Sequence, residues 1–256
     1  MNFKVVIPAR YASARLPAKP LLDIGGRPMI QWVISAAMQS GADEVLVATD
    51  DERIAAVAID PDSNKSIAVM TRSNHLSGTD RIAEVASQRG WDKRTIVVNV
   101  QGDEPLLPPA LVGQVAGLLE QHADADIATL STPINSLHEF LDPNVVKVVT
   151  AKDGVALYFS RAPIPWTRDG ALQGLASQVS FIGSQRHLGI YAYRVEALQR
   201  VTALPPAELE LTEKLEQLRA LQAGMKLVVA VASVPPPAGV DTESDLIRVR
   251  AELGVS

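Results

Sequence analysis

The first half of the chain alternates short apolar runs, rich in valine and isoleucine, with longer segments whose apolar residues recur at helical spacing. The apolar runs predict strands at residues 3–7, 44–49, 66–70, 95–101 and 127–132. The segments between them predict helices at residues 28–39, 52–58, 79–89 and 109–121. Val5-Val6-Ile7 is continuously apolar, which is typical of a strand covered on both faces. The pattern therefore predicts an α/β fold with βαβ units, a mostly parallel central sheet and flanking helices.

The second half of the chain shows a more mixed pattern. Apolar runs predict strands at residues 145–150, 155–160, 188–193 and 227–234. Residues 161–186 lie between two of these strands and contain Gly, Ser and Pro, so we predict a long connection there. It is either a binding loop or a surface insertion. We find no repeat and no clean linker. We therefore predict a single domain over residues 1–256, with a smaller β-containing lobe near residues 133–195.

A stripe of leucines marks one further helix. Leu211, Leu215, Leu218 and Leu221 recur at helical spacing, and Gly224 follows them as a stop signal. This spacing predicts one continuous helix. The polar residues of the same segment, including Glu213, Glu216 and Gln217, have a solvated helix face as their ordinary role.

Composition narrows the classes of function. The chain has 256 residues and a net charge of −5, so we expect neither a nucleic acid nor a membrane as its partner. It contains no cysteine, which excludes disulfides, zinc–thiolate sites and a cysteine nucleophile. The first residues, MNFKVVIPAR, predict a strand rather than a signal peptide, because no small-residue cleavage site follows them. We expect a cytoplasmic protein.

A basic loop follows the first predicted strand. Residues 8–20 read P-A-R-Y-A-S-A-R-L-P-A-K-P and contain Arg10, Arg15 and Lys19. Ligands of open α/β sheets bind at the carboxyl ends of strands, and three cations there suit a triphosphate. The alternative is a solvated basic loop. The segment has neither the GxxxxGK[ST] pattern of a standard P-loop nor the GxGxxG pattern of a dinucleotide site.

Two acidic positions are candidate metal ligands. Asp103 follows a predicted strand in V-N-V-Q-G-D-E-P, and Asp241 lies in G-V-D-T-E-S-D-L before a helical pattern. Mg²⁺ characteristically binds one or two protein carboxylates together with phosphate oxygens. The alternative for Asp103 is a turn residue, and the alternative for Asp241 is a helix N-cap.

Two other segments carry candidate binding residues. Ser77-Gly78-Thr79-Asp80-Arg81 opens a predicted helix, whose N-terminus is either a site for an anionic or polar ligand or simply a capped end. Arg161, Arg186 and His187 are candidates for binding a substrate carboxylate, although His187 has a structural role as its alternative.

Six motifs, taken in order, cover nearly the whole chain. They are I-P-A-R-Y-A-S-A-R-L-P-A-K-P-L, S-G-T-D-R, V-N-V-Q-G-D-E-P, R-H-L-G-I-Y-A-Y-R, L-E-Q-L-R and G-V-D-T-E-S-D-L. Together they closely resemble the 3-deoxy-manno-octulosonate cytidylyltransferase family, also called CMP-Kdo synthetases. The resemblance implies a nucleotidyltransferase-like, Rossmann-like fold. It implies that CTP and the sugar acid Kdo give CMP-Kdo and pyrophosphate with Mg²⁺, for bacterial lipopolysaccharide biosynthesis, in a cytoplasmic homodimer.

The resemblance also implies roles for individual residues. It gives Asp103 and Asp241 as metal ligands and, with Lys19, as the catalytic residues. It gives a nucleotide-binding set of Pro8, Ala9, Arg10, Ser13, Arg15, Lys19, Ser77, Gly78, Asp80 and Gln101. It gives a substrate-binding set of Gln101, Arg161, His187, Tyr191, Glu213 and Gln217.

One position in the basic loop departs from the resemblance. The family often has glycine where this chain has Ala18. Alanine would strain the loop if this position needed a positive φ. We expect the loop to tolerate alanine here, because a neighbouring proline, and not Ala18, sets the turn.

Two other functions remain open at this point. An enzyme of the same group with another sugar-acid acceptor is one alternative, and a nucleotide-sensing protein without catalysis is the other.

Overall fold

The computed structural model describes residues 1–12, 16–170, 173–174, 177–237 and 239–255. The strands are β1 Phe3–Ala9, β2 Asp23–Ile24, β3 Arg27–Pro28, β4 Glu44–Thr49, β5 Ala68–Met70, β6 Ile96–Asn99, β7 Ile127–Pro133, β8 Lys147–Thr150, β9 Ala156–Ser160, β10 Gln185–Arg194 and β11 Leu227–Val231. The helices are α1 Met29–Met38, α2 Glu52–Val57, α3 Gly78–Gln88, α4 Pro109–Gln121, α5 Leu137–Leu141, α6 Val195–Ala203, α7 Glu208–Glu213, α8 Gln217–Gln222 and α9 Glu243–Glu252. Short 3₁₀ turns lie at Lys19–Leu21 and Arg168–Gly170.

The main sheet of the described chain has nine strands. Seven of them run in the order β11-β7-β10-β6-β1-β4-β5, and β8 joins β9 to β10. The β1 strand is parallel to β4 and β6, β4 is parallel to β5, and β11 is parallel to β7. The β10 strand is antiparallel to β6 and β7, between which it lies. The predicted α/β fold with a mostly parallel sheet is confirmed.

Two hydrophobic layers cover the two faces of this sheet. On one face, α1, α2 and α4 pack their buried apolar residues against the strands, with Ile30 and Val115 as examples. On the other face, α3, α6 and α8 do the same, with Ile82 and Leu198 as examples. This double cover explains why the central strands are continuously apolar.

A third, smaller core fixes the C-terminal helix beside the basic loop. Ile24, Met29, Val240, Leu246 and Val249 are buried together there. The side chain of Arg250 also donates hydrogen bonds to the carbonyl oxygen of Asp23, at 2.7 and 3.2 Å. Residues from opposite ends of the sequence thus form one packed corner.

The leucine-spaced segment differs from its prediction. It forms two helices, α7 and α8, because Lys214 adopts φ 55°, a left-handed conformation that ends an α-helix. Leu215 and Leu218 are buried, but Leu211 is 53% exposed. The prediction of one continuous helix is therefore wrong. Among the described residues, no helix is long and apolar enough to cross a membrane.

Candidate functional site

An ammonium group lies between two carboxylates near the carboxyl ends of β1 and β6. The Nζ of Lys19 lies 2.7 Å from Oδ2 of Asp103 and 2.9 Å from Oδ1 of Asp241. The three side chains come from three distant segments, as the sequence predicted for a shared site. The structure thus brings Lys19, Asp103 and Asp241 together.

The segment before α9 is docked on the loop after β6. The backbone N–H of Val240 donates to the carbonyl oxygen of Asp103 at 2.9 Å. Thr242, and not Asp241, is the N-cap of α9, and its hydroxyl accepts from the backbone N–H of Asp245. The N-cap alternative for Asp241 is therefore wrong, and its carboxylate contacts Lys19 instead.

The electrostatics of this centre favour a cation between the carboxylates. Burial alone would lower the pKa of Lys19, but hydrogen bonds and charge from Asp103 and Asp241 raise it above its ordinary value. Two carboxylates that share one cation are also a donor set suited to Mg²⁺, which adds phosphate oxygens and water. Within the described chain, no cluster of three or more His, Cys, Asp or Glu side chains is arranged to hold a metal. The donors present therefore fit an ion that phosphate oxygens help to bind.

The backbone just before Lys19 is left-handed. Ala18 has φ 55° and ψ 27°, and its carbonyl oxygen accepts from the N–H of Leu21 at 2.8 Å. The expectation that a neighbouring proline sets the turn in place of Ala18 is wrong, because Ala18 itself has the positive φ. An L-residue in this region pays a conformational cost that glycine does not pay.

A cavity of about 350 Å³ opens beside the ammonium group. Its lining comprises Pro8, Ala9, Arg10, Ala12, Lys19, Pro20, His75, Leu76, Ser77, Gly78, Arg81, Gln101, Gly102, Asp103 and Asp241. Most of the predicted nucleotide-binding set therefore faces one space. Ser13 and Arg15 lie outside the described residues.

The N-terminus of α3 forms part of the same wall. The hydroxyl of Ser77 accepts from the N–H of Asp80 at 3.1 Å, and the carboxylate of Asp80 accepts from the N–H of Ser77 at 3.0 Å. Asp80 thus caps the helix and lines a neighbouring groove rather than this cavity. A Cβ on Gly78 would lie 3.1 Å from the Pro8 ring, so only glycine fits there without displacement.

A second cavity, of about 250 Å³, adjoins the first. Its lining comprises Gly78, Thr79, Asn99, Gln101, Tyr191, Tyr193, Glu216 and Gln217. Gly78 and Gln101 line both cavities. The second cavity therefore presents hydroxyl and amide groups immediately beside the cation–carboxylate centre, a surface suited to a polyhydroxylated molecule.

Asn99 is the notable residue that the sequence did not predict. It is 3% exposed at the end of β6, and its side-chain oxygen has no hydrogen-bond partner among the described residues. Buried polar atoms are ordinarily paired, so an unpaired one in a cavity wall is a candidate ligand contact. The signal was present, because Asn99 interrupts the apolar run V-V-N-V.

His187, a predicted substrate residue, contacts Tyr191 but does not itself line the second cavity. His187 is partly buried against Phe159 and Tyr191, with ring centroids 5.0 and 5.3 Å away, and its Nε2 lies 2.9 Å from the Thr129 hydroxyl. Loss of hydration lowers the pKa of His187 to about 3. A neutral imidazole carries no charge to offset that of a carboxylate, so we assign this position to supporting Tyr191 by packing.

Arg161 and Glu213 contact each other. The carboxylate of Glu213 accepts from the N–H of Arg161 at 2.8 Å and from the Ser160 hydroxyl at 2.6 Å. The Arg161 side chain donates to backbone carbonyls, including that of Glu213 at 2.7 Å. Lys147 donates to the Arg161 carbonyl at 2.6 Å from a fully buried position. Neither Arg161 nor Glu213 lines the two cavities described above.

Known proteins resemble this arrangement over the full chain. A sequence profile described as cytidylyltransferase matches residues 4–227. A protein of Thioalkalivibrio sulfidiphilus named 3-deoxy-manno-octulosonate cytidylyltransferase is 55% identical over 253 residues, which are 99% of each chain. The chain belongs to the 3-deoxy-manno-octulosonate cytidylyltransferase family.

Other members of the family show the same extent of similarity. The proteins of that name from Aeromonas salmonicida and Xanthomonas euvesicatoria are 55% and 54% identical, over 99% and 98% of this chain. A solved structure of CMP:2-keto-3-deoxy-manno-octonic acid synthetase complexed with CTP superimposes with a TM-score of 0.86. It is 41% identical and covers 99% of this chain and 98% of its own. The predicted family and its nucleotidyltransferase activity are confirmed.

Proposed function

We propose that this protein transfers the cytidylyl group of CTP to Kdo, giving CMP-Kdo and pyrophosphate for lipopolysaccharide biosynthesis. The observation that carries the proposal is the shared wall of the two cavities. One cavity has the cations and carboxylates that suit a triphosphate. The adjoining one has mainly hydroxyl and amide groups, together with the carboxylate of Glu216, which suit the hydroxyl groups of a sugar. Because Gln101 lines both, an acceptor hydroxyl and a nucleotide phosphate meet beside it.

The reaction is a direct displacement at phosphorus. The anomeric hydroxyl oxygen of Kdo forms a bond to the α-phosphorus of CTP, the bond to the bridging oxygen breaks, and pyrophosphate leaves while the hydroxyl proton is released. Catalysis then rests on positioning and on charge neutralisation, the general logic of phosphoryl transfer. Arg10, Lys19 and Arg81 are the described cations that line the triphosphate cavity. Arg81 is paired with Asp50 at 3.2 Å, so Arg10 and Lys19 are the two that we assign to offsetting the charge of the leaving group.

Mg²⁺ is the cofactor that we assign to Asp103 and Asp241. When bound, it supplies charge neutralisation at the phosphates. The carboxylates of Asp103 and Asp241 would hold it, and the contact of each with Lys19 orients both toward one point. Lys19 offsets only one of the two carboxylate charges, so the centre keeps a negative charge that would attract a further cation.

The sugar-acid side is assigned to Gln101, Tyr191 and Gln217, which line the second cavity. Arg161, His187 and Glu213 are assigned a supporting role through their contacts with one another and with Tyr191. We also propose a cytoplasmic homodimer, with residues 133–195 as its contact region. This last assignment rests on the family resemblance.

Pyrophosphate release from CTP and Kdo tests the proposal. Asp103→Asn and Asp241→Asn are expected to reduce kcat by at least about a hundredfold at saturating Mg²⁺, the usual scale for loss of a preorganised charge. Asp92→Asn is the control, because Asp92 lies in a loop remote from both cavities. Near-normal turnover by Asp103→Asn would contradict the metal assignment. CTP binding without turnover on any sugar acid would contradict the enzyme assignment and favour a nucleotide sensor.

A further inference from the structure

Part of the wall of the first cavity, which we call the nucleotide cavity, is a loop without regular structure. Residues 71–77 join β5 to α3, and His75, Leu76 and Ser77 of this loop line the cavity. His75 also lines an adjoining cavity that contains Arg10 and Arg81. The position of this loop therefore sets the shape of the space that the nucleotide enters.

One face of α3 fastens this loop. Arg81, Glu84 and Gln88 lie three and four residues apart, so their side chains share that face. Arg81 donates to the hydroxyl of Thr71. Gln88 donates to the carbonyl oxygen of Met70 at 3.1 Å, just before the loop begins.

Glu84 is the central contact of the three. Its Oε2 accepts from the backbone N–H of Arg72 at 3.0 Å and from Nε2 of His75. Its Oε1 accepts from the side chain of Gln88 at 3.1 Å. Burial alone would raise the pKa of Glu84, but the hydrogen bonds, led by that from His75, lower it to about 2. The carboxylate is therefore ionised and acts only as an acceptor at neutral pH.

The hydrogen bond between Nε2 of His75 and the Glu84 carboxylate determines the tautomer and the orientation of the His75 ring in the cavity wall. A ring nitrogen that donates to a carboxylate carries the proton, which in the neutral imidazole leaves Nδ1 as the acceptor. The same contact restricts rotation of the ring. The side chain of His75 is only 9% exposed, so little freedom remains once this bond is formed.

We propose that Glu84 is a positioning residue for the nucleotide, acting through His75 to fix the wall of the nucleotide cavity. Glu84 does not line that cavity. It acts by holding the imidazole of His75, which does line the cavity. The inference rests on the proposed function, since it assigns this cavity to CTP.

Steady-state kinetics on the full chain test the assignment. Glu84→Ala is expected to raise the KM for CTP about tenfold, the scale of one lost charge-assisted hydrogen bond, with the KM for Kdo within twofold. Glu84→Gln is expected to stay within about threefold of wild type, because one amide oxygen in the place of Oε2 still accepts from both His75 and Arg72. A tenfold rise for Glu84→Gln as well would contradict the assignment, because it would show that charge, not placement, matters.

A matched control separates positioning from general support of the helix. Gln88→Ala removes hydrogen bonds of the same helix face to Met70 and Glu84, yet Gln88 makes no hydrogen bond to residues 71–77. It is expected to leave the KM for CTP unchanged. An equal rise for Gln88→Ala and Glu84→Ala would overturn the assignment.

A double-mutant cycle tests whether the effect passes through His75. In a His75→Ala background, Glu84→Ala is expected to change the KM for CTP less than twofold, because the partner is already lost. Independent, multiplicative effects would overturn the assignment. Calorimetric titration of CTP into wild type sets the baseline. No binding by wild type would overturn the proposed function and this inference with it, whereas equal binding by wild type and Glu84→Ala would overturn the inference alone.

Discussion

Gly239 lies so close to Asp103 that a Cβ added to it would come within 3.2 Å of the Asp103 carbonyl oxygen. The next residue, Val240, donates its backbone N–H to that same oxygen at 2.9 Å. The distance between the two candidate metal ligands thus depends on one close backbone contact. A glycine at this point is a requirement of the site and not only of a turn.

Gly239→Ala is therefore expected to reduce activity more than stability. The added methyl group pushes the Asp241 segment away from Asp103 by a few tenths of an ångström, and small misplacements of reacting groups cost about tenfold or more in rate. We expect kcat to fall about tenfold and the melting temperature to fall by less than about 4 °C, the scale of 1 kcal/mol in a chain of this size.

Gly113→Ala is the control for this substitution. Gly113 lies inside α4, and its added Cβ would meet only the Ser40 carbonyl at 3.4 Å, an ordinary contact. Alanine there is expected to stabilise the protein by about 0.5–1 kcal/mol through helix propensity, with unchanged kcat. A large loss of stability in Gly239→Ala, with normal turnover of the folded fraction, would contradict the role in spacing the ligands.

Ala18→Gly is expected to stabilise the protein. At φ 55° an L-residue is destabilised by about 1–2 kcal/mol relative to glycine. The greater freedom of glycine in the unfolded chain offsets about 0.4–1 kcal/mol of this difference. The net expectation is about 0.5–1 kcal/mol, measured as the free energy of unfolding in urea. Ala56→Gly in α2 is the control and is expected to destabilise by about 1 kcal/mol, because its backbone is helical. Equal destabilisation by both substitutions would contradict this account.

Asn99→Leu is expected to separate stability from substrate binding. Removing a buried oxygen that lacks a partner among the described residues is expected to be neutral or to stabilise by about 1 kcal/mol. The KM for Kdo is expected to rise about tenfold through loss of one hydrogen bond to a sugar hydroxyl, with the KM for CTP unchanged. An unchanged KM for Kdo would exclude Asn99 from the sugar site.

Thr129→Val provides the contrast. The hydroxyl of Thr129 lies 2.9 Å from Nε2 of His187, and 3.1 and 2.8 Å from the carbonyl oxygens of Leu188 and Ile190. This buried hydroxyl therefore has hydrogen-bond partners. Its removal is expected to destabilise by about 1–3 kcal/mol, because these partners are left unpaired.

The stability supplied by Glu84 is expected to depend on pH. Its pKa is about 2 in the folded protein, against 4.5 ordinarily, so its contribution is complete above about pH 4.5 and is lost as the pH falls toward 2. A shift of this size corresponds to roughly 3 kcal/mol at neutral pH. We expect the difference in melting temperature between wild type and Glu84→Gln to shrink steadily from pH 6 to pH 3. A difference that does not depend on pH would contradict the ionised carboxylate.

Periodicity predicted most of the fold because the sheet is covered on both faces. Strands such as Glu44–Thr49 have a continuously apolar interior and polar residues at their ends, so they are visible in the sequence. The break at Lys214 was not predictable in the same way. It depends on a left-handed residue that carries no glycine or proline signal.

The functional site likewise has residues that the sequence predicted and residues that it did not. Lys19, Asp103 and Asp241 lie in loops that follow strands, and this position made them candidates, while the family resemblance implied their roles. The parts that escaped prediction, such as Asn99 and the contact of Glu84 with His75, depend on which side chains face one another across the fold. Ala18 shows the limit most clearly, because its left-handed conformation is imposed by the surrounding loop and not by its own preference.

The position of β10 in the sheet has a consequence for the order in which the protein folds. Residues 185–194 form the strand that separates β6 from β7, so these two strands are joined only after β10 inserts between them. Pairing between strands so distant in sequence carries a large loop-closure entropy and is slow to form. The same insertion delivers Tyr191 to the second cavity, and Asp241 follows later still in the chain. During synthesis the first four parallel strands are therefore available early, while the chemistry of the protein begins only when its last quarter has folded onto them.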